Sequence, residues 1–135
     1  MIVLDSSFLI AFHNQNDAHH ASAARLMRRV LGGEWGVALL PEYVFLEVTT
    51  VVAARLSVPE ASAVGELLLG SREIEFVPCS EFFRASFDVF RRQRGGRLSF
   101  ADAAIVAITR ERAAPHVATF DRDFRGIPGI TVVPR

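Results

Sequence analysis

The chain contains no lysine, and all fifteen of its basic residues are arginine. The absence of lysine excludes a nucleotide-binding P-loop, because the G-x-x-x-x-G-K-[ST] sequence requires one. It also excludes serine hydrolases of the S-x-x-K type. The protein therefore belongs to neither of these two classes.

The chain is also poor in cysteine and in long apolar runs. Its one cysteine, Cys79, cannot form an internal disulfide and is typical of a reducing compartment. No run approaches the 18 apolar residues of a membrane helix. The N-terminus, MIVLDSSFLI, has no basic segment and carries Asp5 within its apolar stretch, which favours a first strand over a signal peptide. We expect a cytoplasmic protein with no membrane association.

Acidic and basic residues balance at fifteen each, so overall charge does not indicate a nucleic-acid-binding protein. The arginines are nevertheless clustered, in RLMRR at 25–29 and in RRQRGGR at 91–97. Arginine forms bidentate hydrogen bonds with phosphate, although a solvated helix face produces the same clustering of arginines. Length favours a single domain, residues 1–135.

Apolar periodicity predicts strands that alternate with helices along the whole chain. Strands are predicted at 2–5, 36–40, 74–78, 117–120 and 130–133, and helices at 6–13, 17–31 (with Asp17 as N-cap), 41–56, 59–70, 81–94 and 99–113. Such alternation is typical of an α/β fold with a parallel sheet covered on both faces. We therefore predict three layers, α/β/α. Phe83, Phe87 and Phe90 recur at helical spacing and are predicted to lie in the core.

Four carboxylates have mostly apolar neighbours in the sequence: Asp5, Glu47, Asp102 and Asp121. Three of them have structural alternatives. Asp5 could cap the next helix, Asp102 stands at capping-box spacing from Ser99, and Asp121 could shape a turn. Glu47 has no capping role in mid-helix. A buried unpaired carboxylate is costly, so Glu47 needs either a partner from elsewhere or an aqueous cleft.

The four carboxylates are predicted to converge. Asp5 and Asp121 follow strands, and ligands of open α/β sheets bind beyond the carboxyl ends of the strands. Carboxylates gathered there repel one another, and the chain has no lysine to offset them. A hard divalent cation such as Mg²⁺ or Mn²⁺, bound by Asp5, Glu47, Asp102 and Asp121, meets that need. The hydroxyls of Ser7 and Thr119 are predicted to orient these groups.

The segments VLDSSFLI, LEVTTVVA, RLSFADAAIVA and ATFDRDF occur in the order and approximate spacing of a PIN domain. More narrowly, the chain resembles the VapC-type toxins of bacterial toxin–antitoxin pairs. The resemblance spans essentially the whole chain. It implies a three-layer fold with a parallel sheet of about five strands and an Mg²⁺- or Mn²⁺-dependent endoribonuclease.

The resemblance also implies roles for residues and partners. The acidic quartet of the family falls on Asp5, Glu47, Asp102 and Asp121, and its hydroxyl position falls on Ser7. Asp123 matches a position that is acidic less consistently, and it is an additional candidate metal ligand. The family further implies an RNA substrate, inhibition by a cognate antitoxin and frequent homodimerisation.

Alternatives stay open at this point. A non-catalytic RNA- or protein-binding module of the same fold would keep the architecture without the activity. Another Mg²⁺-dependent, phosphatase-like α/β enzyme is disfavoured, since such enzymes use D-x-D where this chain has DSS, and rely on a lysine. LGGEWG at 31–36 does not match a dinucleotide-binding G-x-G-x-x-G. His13, His19 and His20 are interpreted as surface or capping residues rather than a zinc site.

Overall fold

The structure, a computed structural model, describes all residues 1–135. Five strands and six helices alternate along the chain. In chain order they are β1 (Ile2–Leu4), α1 (Ser6–His13), α2 (His20–Leu31), β2 (Ala38–Pro41), α3 (Glu42–Arg55), α4 (Val58–Gly70), β3 (Ile74–Val77), α5 (Cys79–Arg92), α6 (Phe100–Glu111), β4 (His116–Ala118) and β5 (Thr131–Val133). A single 3₁₀ turn, Arg122–Phe124, lies between the last two strands.

The strands form one parallel sheet in the order β3-β2-β1-β4-β5. The central strand β1 is completely buried, as expected for a short apolar strand covered on both faces. From β1 the chain passes to β2 and β3 on one side, and β4 and β5 complete the other side. The sheet order therefore reverses between β1 and β4, which is where open α/β sheets bind ligands. The predicted three-layer α/β/α fold with five parallel strands is confirmed.

Local sequence signals account for several helix boundaries. Ser57 caps α4, because its hydroxyl accepts a hydrogen bond from the Glu60 N–H at 3.2 Å, and Pro59 occupies the first turn without needing a donor. The predicted N-cap role of Asp17 is wrong. Its carboxylate accepts from the His19 N–H at 2.8 Å within a turn, and α2 begins only at His20.

The predicted core position of three phenylalanines on α5 is also wrong. Phe83, Phe87 and Phe90 are 56%, 41% and 38% exposed, whereas Phe82 is buried. The helix packs on α6, and its buried face carries Phe82 and Ser86. The neighbouring stripe is more exposed, although its Phe83 and Phe90 rings touch Phe100 at the start of α6. The aromatic spacing marked an apolar stripe correctly but did not show which of two adjacent stripes meets the core. No helix is both long and apolar enough to cross a membrane.

Candidate active site

A cleft of about 550 Å³ lies at the carboxyl ends of β1 and β4. Twelve residues line it: Asp5, Ser6, Ser7, Ile10, Asp17, His19, Glu47, Arg55, Ser99, Asp102, Phe120 and Asp121. A second groove of similar volume lies between α3 and α4, but Glu66 is the only ionisable residue in its lining. The first cleft is the candidate active site, because it collects all four predicted carboxylates.

Asp5 follows β1 directly and is only 4% exposed. Although it occupies the N-cap position of α1, its carboxylate does not cap that helix. Its Oδ2 instead accepts hydrogen bonds from the Ser7 hydroxyl at 2.8 Å and the Thr119 hydroxyl at 2.6 Å. The capping interpretation of Asp5 is therefore excluded, and its carboxylate is held by side chains from both sides of the sheet reversal.

The two hydroxyls also fix the backbone that follows β4. The Phe120 N–H donates to Ser7 Oγ, and the Asp121 N–H donates to Thr119 Oγ1, both at 2.9 Å. Each hydroxyl thus accepts from the backbone and donates to Asp5. This arrangement holds Asp5 and the start of the Asp121 turn in a fixed relation.

Burial raises the pKa of Asp5 above its ordinary value, and the negative charge of Asp121 adds to the increase. Hydrogen bonds from Thr119 and Ser7 act in the opposite direction because they stabilise the ionised form. Raised acidic pKa values in a cleft are typical of functional sites. Asp5 is accordingly a carboxylate that would gain from a nearby cation.

Asp102 combines a structural role with a place in the cleft. Its Oδ2 accepts from the Ser99 N–H at 3.1 Å, and its own N–H donates to Ser99 Oγ at 3.1 Å, which completes the capping box of α6. Burial, followed by the charges of Asp5 and Asp121, raises the pKa of Asp102 to about 6 against the hydrogen bonds from Ser99. The capping interpretation is correct, and the same carboxylate also faces the acidic cleft.

Asp121 shapes the 3₁₀ turn, because its Oδ1 accepts from the Asp123 N–H at 2.9 Å. It also lines the cleft. Asp123 is half-buried and is not part of the lining. Asp123 contacts Asp121 through its backbone N–H, and its side chain does not line the cleft.

Glu47 is exposed on α3 and reaches the cleft from the side of that helix. The buried face of α3 carries Val44, Val48 and Val52, and Glu47 precedes the middle one by a single position. Of the two environments considered from the sequence, the aqueous cleft is the one found. No salt bridge joins Glu47 to another residue.

The ion pairs of the chain all lie elsewhere: Arg29–Glu34, Arg91–Asp88, and Arg112 with Glu75 and Glu81. None involves a cleft carboxylate. The donors in the cleft are oxygens, which suits a hard divalent cation. No three acidic, histidine or cysteine side chains converge closely enough to share one ion as they stand. The donor chemistry fits Mg²⁺ or Mn²⁺, and binding would require bridging water or side-chain rotation.

Sequence reasoning missed other residues of the cleft. His19, interpreted as a surface or capping residue, lines the wall with its ring stacked on Phe120, at a centroid separation of 4.4 Å and an interplanar angle of 9°. Arg55 and Asp17 also contribute. Their sequence neighbourhoods resemble ordinary helix ends and loops, so no local signal identifies them. Only the fold brings the loop before α2 against the turn after β4.

The PIN domain family matches residues 2–130 of the chain. Among solved structures, VapC20 of Mycobacterium tuberculosis, described as a sarcin-ricin loop cleaving toxin, is 25% identical with a TM-score of 0.81, covering 92% of each chain. VapBC2 of Rickettsia felis bound to promoter DNA is 14% identical with a TM-score of 0.70, covering 98% of this chain and 97% of the other. FitAcB of Neisseria gonorrhoeae is 18% identical with a TM-score of 0.65, covering 98% and 96%. No curated protein matches the chain.

The family match covers nearly the whole chain, and the sheet order, the cleft and the structural similarities agree with it. The chain belongs to the PIN-domain family and is similar in fold to VapC-type toxins of that family.

Proposed function

We propose that this protein is an Mg²⁺- or Mn²⁺-dependent endoribonuclease that hydrolyses RNA phosphodiester bonds. One observation carries the proposal: Asp5, Glu47, Asp102 and Asp121 line one cleft at the sheet reversal, with no ion pair to any of them. The description of VapC20 as a toxin that cleaves the sarcin-ricin loop supports RNA as the substrate class.

In this proposal the four carboxylates hold one or two divalent ions, directly or through water. A bound ion would activate water and stabilise charge on the phosphate. The chain supplies the positioning. Ser7 and Thr119 fix the orientation of the Asp5 carboxylate. Asp123 stays a proposed additional ligand; it would have to turn its side chain toward the cleft.

Asp102 and Asp121 are positioned by the backbone. The N–H of Ser99 holds the Asp102 carboxylate, and the N–H of Asp123 holds that of Asp121. Each of these groups keeps a second oxygen free of that bond. The carboxylates are thus oriented before any ligand arrives, which reduces the reorganisation that a reaction requires.

We further propose the role of a toxin restrained by a cognate antitoxin, acting as a homodimer in the cytoplasm. Support comes from the solved structures that share the fold, which include VapBC2 and a toxin–antitoxin complex from Klebsiella pneumoniae. If a small reading frame adjoins the gene, co-expression of its product should suppress toxicity and yield a stable complex. Light scattering of the isolated chain should give twice the monomer mass.

RNA cleavage by matched variants tests the catalytic proposal. Wild-type protein should cleave RNA in Mg²⁺ or Mn²⁺ and lose this activity in excess EDTA. Asp5→Asn and Asp102→Asn should lose it while keeping the wild-type circular dichroism spectrum. Full activity in either variant or in EDTA would overturn the proposal.

A non-catalytic binding module of the same fold is the second candidate. It is favoured by the lack of three side chains positioned to share one metal ion. Mn²⁺ titration separates the two: a catalytic site should bind Mn²⁺ and lose it in Asp5→Ala, whereas a binding module should do neither.

A further inference from the structure

The loop between α5 and α6, residues 93–98, is closed by its own side chain. The Gln93 amide donates to the Leu98 carbonyl, and the Leu98 N–H donates to Gln93 Oε1, both at 2.9 Å. Gly95 and Gly96 have φ values of 93° and 63°, which glycine adopts without steric cost. We call these six residues the arginine loop. Its ends are held together although it contains no regular secondary structure.

The two arginines of this loop are exposed and have no partner within the protein. Arg94 and Arg97 make no salt bridge and no side-chain hydrogen bond, whereas nearby Arg91 pairs with Asp88 at 2.9 Å. Two guanidinium groups are thus displayed on a pinned segment. Since a pinned backbone loses less conformational freedom on binding, such a loop is suited to contact a ligand.

The arginine loop is followed in the chain by a residue of the cleft. Leu98 is followed by Ser99, which lines the cleft and caps α6. At about 3.3–3.6 Å per residue, the Cα of Arg97 lies at most about 7 Å from that of Ser99. The hydrogen bonds between Gln93 and Leu98 also hold the N-terminal end of the loop close to Leu98, the residue before Ser99. The C-terminal end of the loop therefore lies beside the cleft residue Ser99, while Gln93 and Leu98 themselves line a separate groove with Val106 and Ile127.

Charge indicates what the loop would bind. The cleft lining contains five carboxylates against one arginine, so the lining itself repels a phosphodiester chain. The phosphates on either side of the scissile bond need positive partners outside it, and arginine contacts phosphate oxygens in a two-pronged manner.

Exposed aromatic side chains beside the loop favour RNA over an acidic protein. Phe100, the residue after Ser99, contacts the exposed rings of Phe83 and Phe90 at centroid distances of 5.5 and 5.7 Å. Exposed aromatic rings next to arginines are the usual platform for unpaired bases.

We propose that the arginine loop binds phosphates of the substrate RNA that flank the cleavage position, with Arg94 and Arg97 as the contacts. The choice of RNA rests on the proposed function. The loop is a substrate-binding element and takes no part in the chemistry.

The test measures RNA binding separately from cleavage. The Kd of a labelled single-stranded RNA for full-length Asp102→Asn protein is measured in Mg²⁺ over a range of salt concentrations. Each phosphate contact contributes about 0.7 to the slope of log K against log salt for single strands. Adding Arg94→Ala and Arg97→Ala should therefore reduce the slope by about 1.4. Adding Gln93→Ala alone should weaken binding while leaving both arginines in place.

The matched control removes the same charge far from the cleft. Arg28 and Arg72 are exposed, unpaired and near the opposite ends of the strands. Arg28→Ala combined with Arg72→Ala should leave the slope unchanged. Equal slopes for the loop and control variants would overturn the proposal, and would point to a protein partner for the loop. A loop-dependent slope, together with wild-type protein that does not cleave RNA in Mg²⁺ or Mn²⁺, would refute the nuclease function alone.

Discussion

The capping carboxylate Asp102 should make the metal-free protein less stable at neutral pH than an Asp102→Asn variant. Its pKa is raised from 3.8 to about 6, chiefly by burial. Because the folded state binds the proton more tightly than the unfolded state, stability falls as pH rises from about 4 to 6, and the full penalty is present above that range. Asparagine cannot ionise, so it escapes the penalty.

The size of this stability difference follows from the pKa shift of Asp102. Two pKa units correspond to about 3 kcal/mol, and solvent screening of this partly exposed carboxyl reduces that to about 1–2 kcal/mol. Asparagine keeps an oxygen that can accept from the Ser99 N–H, so the capping box survives. For a chain of this size the gain is a rise in Tm of about 3–6 °C.

Thermal denaturation followed by circular dichroism checks this result. In EDTA near pH 7.5, Asp102→Asn should melt above wild type, and the difference should vanish near pH 4. Saturating Mg²⁺ should reduce or reverse it, since the ion would stabilise the wild-type carboxylates. An unchanged or lower Tm for Asp102→Asn in EDTA at neutral pH would refute the electrostatic account. Asp102→Ala, which also loses the cap, is the matched control and should gain less, by about 1 kcal/mol.

Three further predictions concern neighbouring groups. Thr119→Val should cost about 1–3 kcal/mol in urea denaturation and lower RNA cleavage, because the Asp121 N–H loses its acceptor and Asp5 loses a donor; an unchanged urea midpoint would contradict it. Phe87→Gln should change stability by less than about 0.5 kcal/mol, whereas Phe82→Ala should cost about 3 kcal/mol or more; equal costs would place both rings in the core. Mg²⁺ should raise the Tm of wild type but not of Asp5→Asn.

Much of the fold follows from local sequence. The β1 residues Ile2–Leu4 form a continuous apolar run, which is typical of a strand buried on both faces. Ser99 caps α6 with the hydrogen bond that its spacing from Asp102 predicts. The predictions were wrong where tertiary packing decides which face of a helix is buried. The Phe83 stripe and the Phe82 stripe are neighbours on one helix, and only the packed structure shows that Phe82 is buried and Phe83 is exposed.

The sequence predicted most directly those residues of the cleft whose position follows from strand order. Asp5 and Asp121 follow strands, so parallel topology alone brings them to one edge of the sheet. His19 and Arg55 carry no comparable signal, because their place in the lining depends on how a loop and a helix end pack against the turn after β4. Glu47 lay between these cases: its apolar neighbours left open either a partner from elsewhere in the fold or an aqueous cleft, and the structure places it at the cleft.

Anomalous diffraction from crystals soaked in Mn²⁺ would show whether the cleft carboxylates form a divalent-metal site. We expect a Mn²⁺ peak in the cleft, within ligand or water-bridged distance of Asp5, Asp102 and Asp121. The Asp5→Asn variant, soaked in the same way, should show a weaker peak or none. A cleft without Mn²⁺ in wild-type crystals, with the four carboxylates unmoved, would show that they do not form a divalent-metal site.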